Sequence, residues 1–189
     1  MIHTEARPVE EILQRLPPGA SVGILGCGDC AAVLGTGGTL QVDEWTERLQ
    51  GRNKVLFATV VDSPCDQRVL KRFQDLIPGF ADANFILVLA CSAGAQSLAN
   101  MLQHAKKVQR VIPCLRSKGL NWIRSRKTIS EACFFCEECR YEGEVSCPVA
   151  ACPLHRADGP CQNRLPNDEC PLRSGFPCVW VPTVESERS

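Results

Sequence analysis

SVGILGCGDC, residues 21–30, is the stretch on which the fold reading turns. SVGIL is a short apolar run rich in β-formers, and Gly26-Cys27-Gly28-Asp29-Cys30 follows at once, so the stretch reads as a buried strand ending in a tight turn. The pattern recurs downstream: VLFATVVD (residues 55–62) runs toward Cys65, FILVLA (85–90) ends at Cys91, and RVIP (110–113) ends at Cys114. Helical stretches lie between these runs, at residues 8–16, at 42–50 after a glycine-rich break, at 66–77 and at 95–103. In the third of these, Val69, Leu70, Phe73, Leu76 and Ile77 follow the i, i+3, i+4 spacing of one helix face. Strands alternating with helices, with continuous apolar runs, predict an α/β domain: a parallel sheet with helices on both faces. Ligands of such sheets sit at the carboxyl ends of the strands, beside a topological switch point. Cys27, Cys30, Cys65 and Cys91 are therefore expected to meet there, and four convergent thiolates suit a tetrahedral metal or a [4Fe-4S] cluster. Cys114 reads as a spare, small buried cysteine.

The remainder is a different material. Residues 133–178 hold eight of the thirteen cysteines and almost nothing able to build an apolar core. A piece this small needs disulfides, a metal or a partner to stay folded. The domain reading is thus 1–125 for an α/β cluster-binding domain and 126–189 for a small cysteine-rich, metal-stapled module. An odd cysteine count, close Cys-x2-Cys pairs and an ordinary α/β first half favour metal over disulfides in a reducing compartment. Cys133-x2-Cys136-x2-Cys139 is the opening of a bacterial ferredoxin ligand run, and Cys147, Cys152 and Cys170 each precede a proline as that run's closing cysteine does. Cys147, Cys152, Cys161, Cys170 and Cys178 are then candidates for the fourth cluster ligand and for an all-thiolate zinc site or a further cluster; spacing does not pair them. His155 is a possible substitute ligand, although a single histidine in a polar loop is more often unligated. Residues 115–131 set several Arg and Lys around Asn121-Trp122-Ile123 and read as a solvated linker or a docking surface for an acidic partner.

Several function classes lose support. The 21 basic and 21 acidic residues balance, which gives no electrostatic ground for nucleic acid or an anionic membrane as partner. No apolar stretch approaches the roughly 20 residues of a membrane span, and the N-terminal segment is amphipathic rather than apolar, so a cytoplasmic protein is expected. No GxSxG elbow, HExxH helix or P-loop occurs, and the three histidines stand beside no nucleophile. Gly26-x-Gly28-x-x-Ala31 with Asp62 offers a dinucleotide-binding alternative, weakened by the long spacing to Asp62 and by two thiols in the turn. A scaffold stapled by structural zinc is the other alternative. A chain with several thiolate sites and no substrate machinery fits an electron carrier better than a catalyst.

Taken in order, Gly26-Cys27-Gly28-x-Cys30, Thr36-Gly37-Gly38, Cys65-Asp66, Ala90-Cys91-x-x-Gly94, the Cys133 run, Cys147-Pro148-Val149-Ala150-x-Cys152, Gly159-Pro160-Cys161 and Cys178-x-Trp180 resemble the methylenetetrahydrofolate reductase C-terminal domain family. The resemblance implies a small iron–sulfur and zinc-containing subunit, with two [4Fe-4S] clusters and one zinc, that pairs with a flavin-bearing catalytic subunit. It further implies electrons arriving from a ferredoxin- or NADH-linked donor and leaving for that flavin, which reduces methylene- to methyltetrahydrofolate in the methyl branch of the Wood–Ljungdahl route. In that picture Cys27, Cys30, Cys65, Cys91, Cys133, Cys136 and Cys139 bind clusters, and Cys147, Cys152, Cys161, Cys170 and Cys178 supply the remaining metal ligands.

Overall fold

The computed structural model describes residues 1–105, 107–125, 128–136, 147–162, 165 and 167–181, with the side chains of 121–132 excepted. Two compact units divide the chain, Met1–Lys118 and Gly119–Ser189. The first opens with β1 (Ile2–Ala6) and α1 (Val9–Arg15), then runs through β2 (Ser21–Cys27), the single turn α2 (Cys30–Val33) and α3 (Thr39–Leu49). It continues with β3 (Lys54–Val61), α4 (Gln67–Gln74), β4 (Phe85–Leu89), α5 (Ser92–His104) and β5 (Arg110–Pro113). Strands β2 to β5 form a parallel sheet in the order β3-β2-β4-β5. The expected α/β class is the one the chain adopts.

Alternate residues of each strand feed two separate cores, which is why the runs are apolar throughout. On one face, Leu25, Cys27, Phe57, Val61, Ile86 and Val88 meet Leu70 of α4 and Leu98 and Leu102 of α5. On the other, Val22, Ile24, Leu87, Leu89, Ile112 and Cys114 meet Ile12 of α1 and Val42, Trp45 and Leu49 of α3. The chain leaves β2 for β3 on one side and returns to β4 on the other, so the carboxyl ends of β2 and β4 form the switch point of the sheet.

Two segments depart from expectation. Residues 115–125 and 128–131 are strand rather than a solvated linker: β6 (Leu115–Ser125) pairs antiparallel with β7 (Thr128–Cys133), with Trp122 opposite Ser130 and Ile123 opposite Ile129. Basic residues at intervals along β6 masked its strand signal, because charge on an exposed sheet face is compatible with pairing. The N-terminal residues form β1, which joins the same sheet in the order β1-β6-β7. Five residues with three charged or polar positions, His3, Thr4 and Glu5, carry little local signal, and their pairing partner lies at the far end of the unit. The second unit adds α6 (Pro148–Ala151) and a ribbon of β8 (Glu169–Cys170) and β9 (Arg173–Pro177).

Gly37 closes the switch point from above. Its carbonyl accepts the Cys27 N–H at 2.9 Å, and a Cβ there would stand 2.1 Å from the Leu89 carbonyl oxygen and 2.9 Å from Ala31 Cβ. Both obstacles belong to fixed backbone or its immediate branch, so the loop cannot give way without lifting off β2 and β4. Gly37→Ala is expected to destabilise the first unit by about 1–3 kcal/mol, seen as a lower denaturation midpoint with an unchanged slope; a midpoint equal to the parent's would contradict this role.

Candidate metal centre

Four cysteines hang from the switch point. Cys27 is the last residue of β2, Cys30 the first of α2, Cys65 lies in the loop from β3 to α4, and Cys91 caps the start of α5. Burial raises the Cys27 thiol most strongly, opposed by hydrogen bonds from the Asp29 and Ala31 backbone and reinforced by the Asp29 carboxylate and Cys91. Burial also raises the Cys65 thiol, followed by the negative charge that Cys91 and then Cys30 would carry as thiolates. Cys91 is thus in electrostatic reach of both Cys27 and Cys65, and Cys65 of Cys30, across three separate loops. Cys27 and Cys91 are buried, Cys30 half-buried and Cys65 exposed.

The loops are tied together by groups that motif reading passed over. The Asp29 carboxylate accepts from the Ser63 backbone N–H at 2.6 Å and from its hydroxyl at 2.5 Å, joining the Cys27/Cys30 turn to the Cys65 loop. Ser63 meets it from a left-handed backbone conformation, φ 50°, which a β-branched residue would resist. An acidic residue between two cysteines was the available signal for Asp29; nothing local marked Ser63. Asp66 caps α4 by accepting the Arg68 N–H at 2.9 Å, and the Arg68 guanidinium holds its carboxyl down to about 2. Gly94 lets α5 approach the Cys65 loop: a Cβ there would lie 2.9 Å from Ala90 Cβ and 3.3 Å from Pro64 Cγ. At Gly28 a Cβ would fall 2.0 Å from Asp62 Oδ1. The Asp62 carboxylate therefore crowds the turn where a pyrophosphate would need close backbone approach, and its negative charge opposes one.

In the second unit Cys133 ends β7 and accepts the Phe135 N–H at 3.4 Å. Cys136 is half-buried, and Cys139 lies outside the described residues. Cys147 precedes α6 and Cys152 follows it. Cys152, Cys161, Cys170 and Cys178 line one cavity of about 210 Å³. His155 is otherwise engaged: its ring stacks on Phe134 at 3.7 Å between centroids, and Nδ1 lies 3.3 Å from the Val149 carbonyl oxygen. Among the described residues, no three His, Cys, Asp or Glu side chains stand in the arrangement of ligands about a single metal ion. The residues nevertheless have the chemistry that iron–sulfur and zinc centres take: soft thiols, with backbone N–H groups on Cys27.

Residues 112–189 match the family described as methylene-tetrahydrofolate reductase C terminal. The match takes in β5 from Ile112 and every residue of the second unit, so the similarity to methylenetetrahydrofolate reductase rests on the cysteine-rich half of the chain. No curated protein and no solved structure gives a significant match. Among the described residues no helix is long and apolar enough to cross a membrane.

Cys114 lies just inside the matched segment but turns away from the other thiols. It follows β5 and packs on the α1/α3 face, whereas Cys27 belongs to the α4/α5 face. It is 1% exposed, and burial pushes its thiol up to about 12. A thiol with that value is almost wholly protonated at neutral pH and neither attacks nor ligates readily. Cys114 is expected to resist iodoacetamide at pH 8 in the native metal-free protein while Cys65 is labelled, as read by peptide mass spectrometry; equal labelling of the two would contradict the packing described.

Proposed function

We propose that this chain is the iron–sulfur electron-transfer subunit of a methylenetetrahydrofolate reductase and passes electrons to a flavin-containing catalytic subunit. The reading is supported by the position of Cys27, Cys30, Cys65 and Cys91 just after the carboxyl ends of three adjacent parallel strands, with Cys91 in electrostatic reach of Cys27 and Cys65, in a chain whose residues 112–189 match the reductase C-terminal family. Those four cysteines would hold one [4Fe-4S] cluster. Cys133, Cys136 and Cys139 with one further thiolate would hold a second, and the remaining cysteines a zinc. Such clusters, when bound, supply one-electron transfer, while a flavin on the partner collects two electrons and carries the hydride chemistry.

The protein's own contribution is positional. Burial of Cys27 and Cys91 keeps water from one side of the site, and the Asp29 and Ala31 backbone amides stabilise negative charge on the Cys27 sulfur. The exposed Cys65 leaves the other side open for an approaching redox partner, and short approach is what electron exchange requires. The reaction served is the conversion of methylene- to methyltetrahydrofolate in the cytoplasm, in the methyl branch of the Wood–Ljungdahl route. Electrons would come from a ferredoxin- or NADH-linked donor.

Protein purified without oxygen is expected to contain iron and acid-labile sulfide and to give the EPR signal of a reduced cluster on addition of dithionite. Cys91→Ser should lose about four irons per chain and destabilise the first unit, leaving the metals of the second in place. A colourless protein holding zinc alone would contradict the proposal.

A further inference from the structure

Five cysteines of the second unit follow the Cys133 run, and their spacing leaves open which of them share a metal. We propose that Cys152, Cys161, Cys170 and Cys178 are the ligands of one four-thiolate centre, with Trp180 donating its indole N–H to one of the sulfurs, and that Cys147 stands outside this set. The inference deepens the preceding reading, on which it rests for the presence of metal in this chain.

Four observations converge. First, these four cysteines line the same cavity, of about 210 Å³, and Cys147 does not. Helix α6 explains the separation: Cys147 and Cys152 flank its four residues, so one helical turn of about 6 Å holds them at opposite ends. Second, the ribbon returns Cys178 to the neighbourhood of Cys170. Glu169 pairs with Pro177, and the Cys178 N–H donates to the Asp168 carbonyl at 2.8 Å. Arg173 on β9 reaches the Ala151 carbonyl at 3.4 Å, which ties the ribbon to the end of α6 that carries Cys152.

Third, the unit's sparse interior is centred here. Among its described side chains, the buried apolar ones are Val149, Ala150, Cys152 and Cys178, two of them thiols of this cavity. So little burial does not offset the entropy of ordering the surrounding loops, whereas a structural metal couples its binding free energy to folding. Fourth, Trp180 lines this cavity, and its Nε1 is buried with no hydrogen-bond partner among the described residues. Indole nitrogen is a donor only, and a buried donor without an acceptor is rare in folded proteins. A thiolate sulfur in the cavity is the acceptor it lacks, and N–H groups in this outer position are how proteins orient and tune metal-bound sulfur.

On binding, four thiols give up their protons and form four metal–sulfur bonds, with no change of oxidation state. Zinc and an iron–sulfur cluster share this ligand chemistry, and the metal analysis below distinguishes them. The test uses the full chain purified without oxygen, with zinc, iron and sulfide counted per chain. Cys152→Ser, Cys161→Ser, Cys170→Ser and Cys178→Ser should each remove the same complement, either one zinc or one cluster, and Cys147→Ser should leave that complement in place. Loss of the same complement in Cys147→Ser, or its retention in any of the four, overturns the assignment.

Where a serine variant fails to fold, the unaltered protein gives the answer by stepwise chelation followed by alkylation and peptide mass spectrometry. Cys152, Cys161, Cys170 and Cys178 should become reactive together and at a different step from Cys147; a common step with Cys147 overturns the proposal. Trp180→Phe, which keeps the apolar bulk, should retain the metal but release it to a chelator roughly 10-fold faster or more, and an unchanged release rate refutes the N–H donation. Zinc throughout the chain would remove the electron-carrier reading without touching this ligand set, whereas a scrambled ligand set would leave a cluster at Cys27, Cys30, Cys65 and Cys91 unaffected.

Discussion

The parallel pairing of β2 between β3 and β4 is the constraint from which the first unit's chemistry follows. Gly26 stands in register with Val60 on one side and Leu89 on the other, so all three strands stop at nearly the same height. Whatever follows each strand must then emerge at one edge. The Cys27/Cys30 turn, Cys65 and Cys91 are distant from one another in sequence, and this register brings the three loops that carry them to one edge. Small residues make the convergence sterically possible: Gly37 lies over the Leu89 carbonyl, and Gly94 admits α5 to the Cys65 loop. The Asp29–Ser63 hydrogen bonds then hold two of the loops at fixed separation.

The second unit meets the same demand by other means. It has a ribbon, a one-turn helix and few buried apolar side chains, so regular structure positions its thiols only locally. Cys152 sits where α6 ends, and Cys170 and Cys178 sit on and just beyond a two-stranded ribbon. On the proposed function, in the first unit the fold makes the site. In the second, on the reading advanced here, the site makes the fold, because metal–thiolate bonds supply the cohesion that apolar burial does not.

The parts legible in sequence were those encoded locally. The apolar runs of β2, β3, β4 and β5 and the facial spacing in α4 announce an α/β sheet, and the sheet rule alone places the loops of Cys27, Cys30, Cys65 and Cys91 at one edge. β1 and β6 escaped because their pairing is non-local and their residues are polar or basic, so that tertiary context overrode weak propensity. The Asp29–Ser63 contact was invisible for a similar reason: Ser63 acquires its role only from a left-handed backbone in a loop brought close by the sheet. Cys178-x-Trp180 is visible as a motif, yet the unpartnered indole nitrogen of Trp180 is a fact of three dimensions. The dinucleotide alternative at Gly26 and Gly28 loses ground on the same kind of evidence, since the Asp62 carboxylate lies against the turn.

Anomalous diffraction from anaerobically grown crystals, collected above and below the iron and zinc edges, addresses the central claim most directly because it assigns an element to each site. The predicted result is iron density at the carboxyl ends of β2, β3 and β4, within bonding reach of Cys27, Cys30, Cys65 and Cys91. Zinc at that edge, or no anomalous signal there, would contradict the assignment of this chain as an electron carrier.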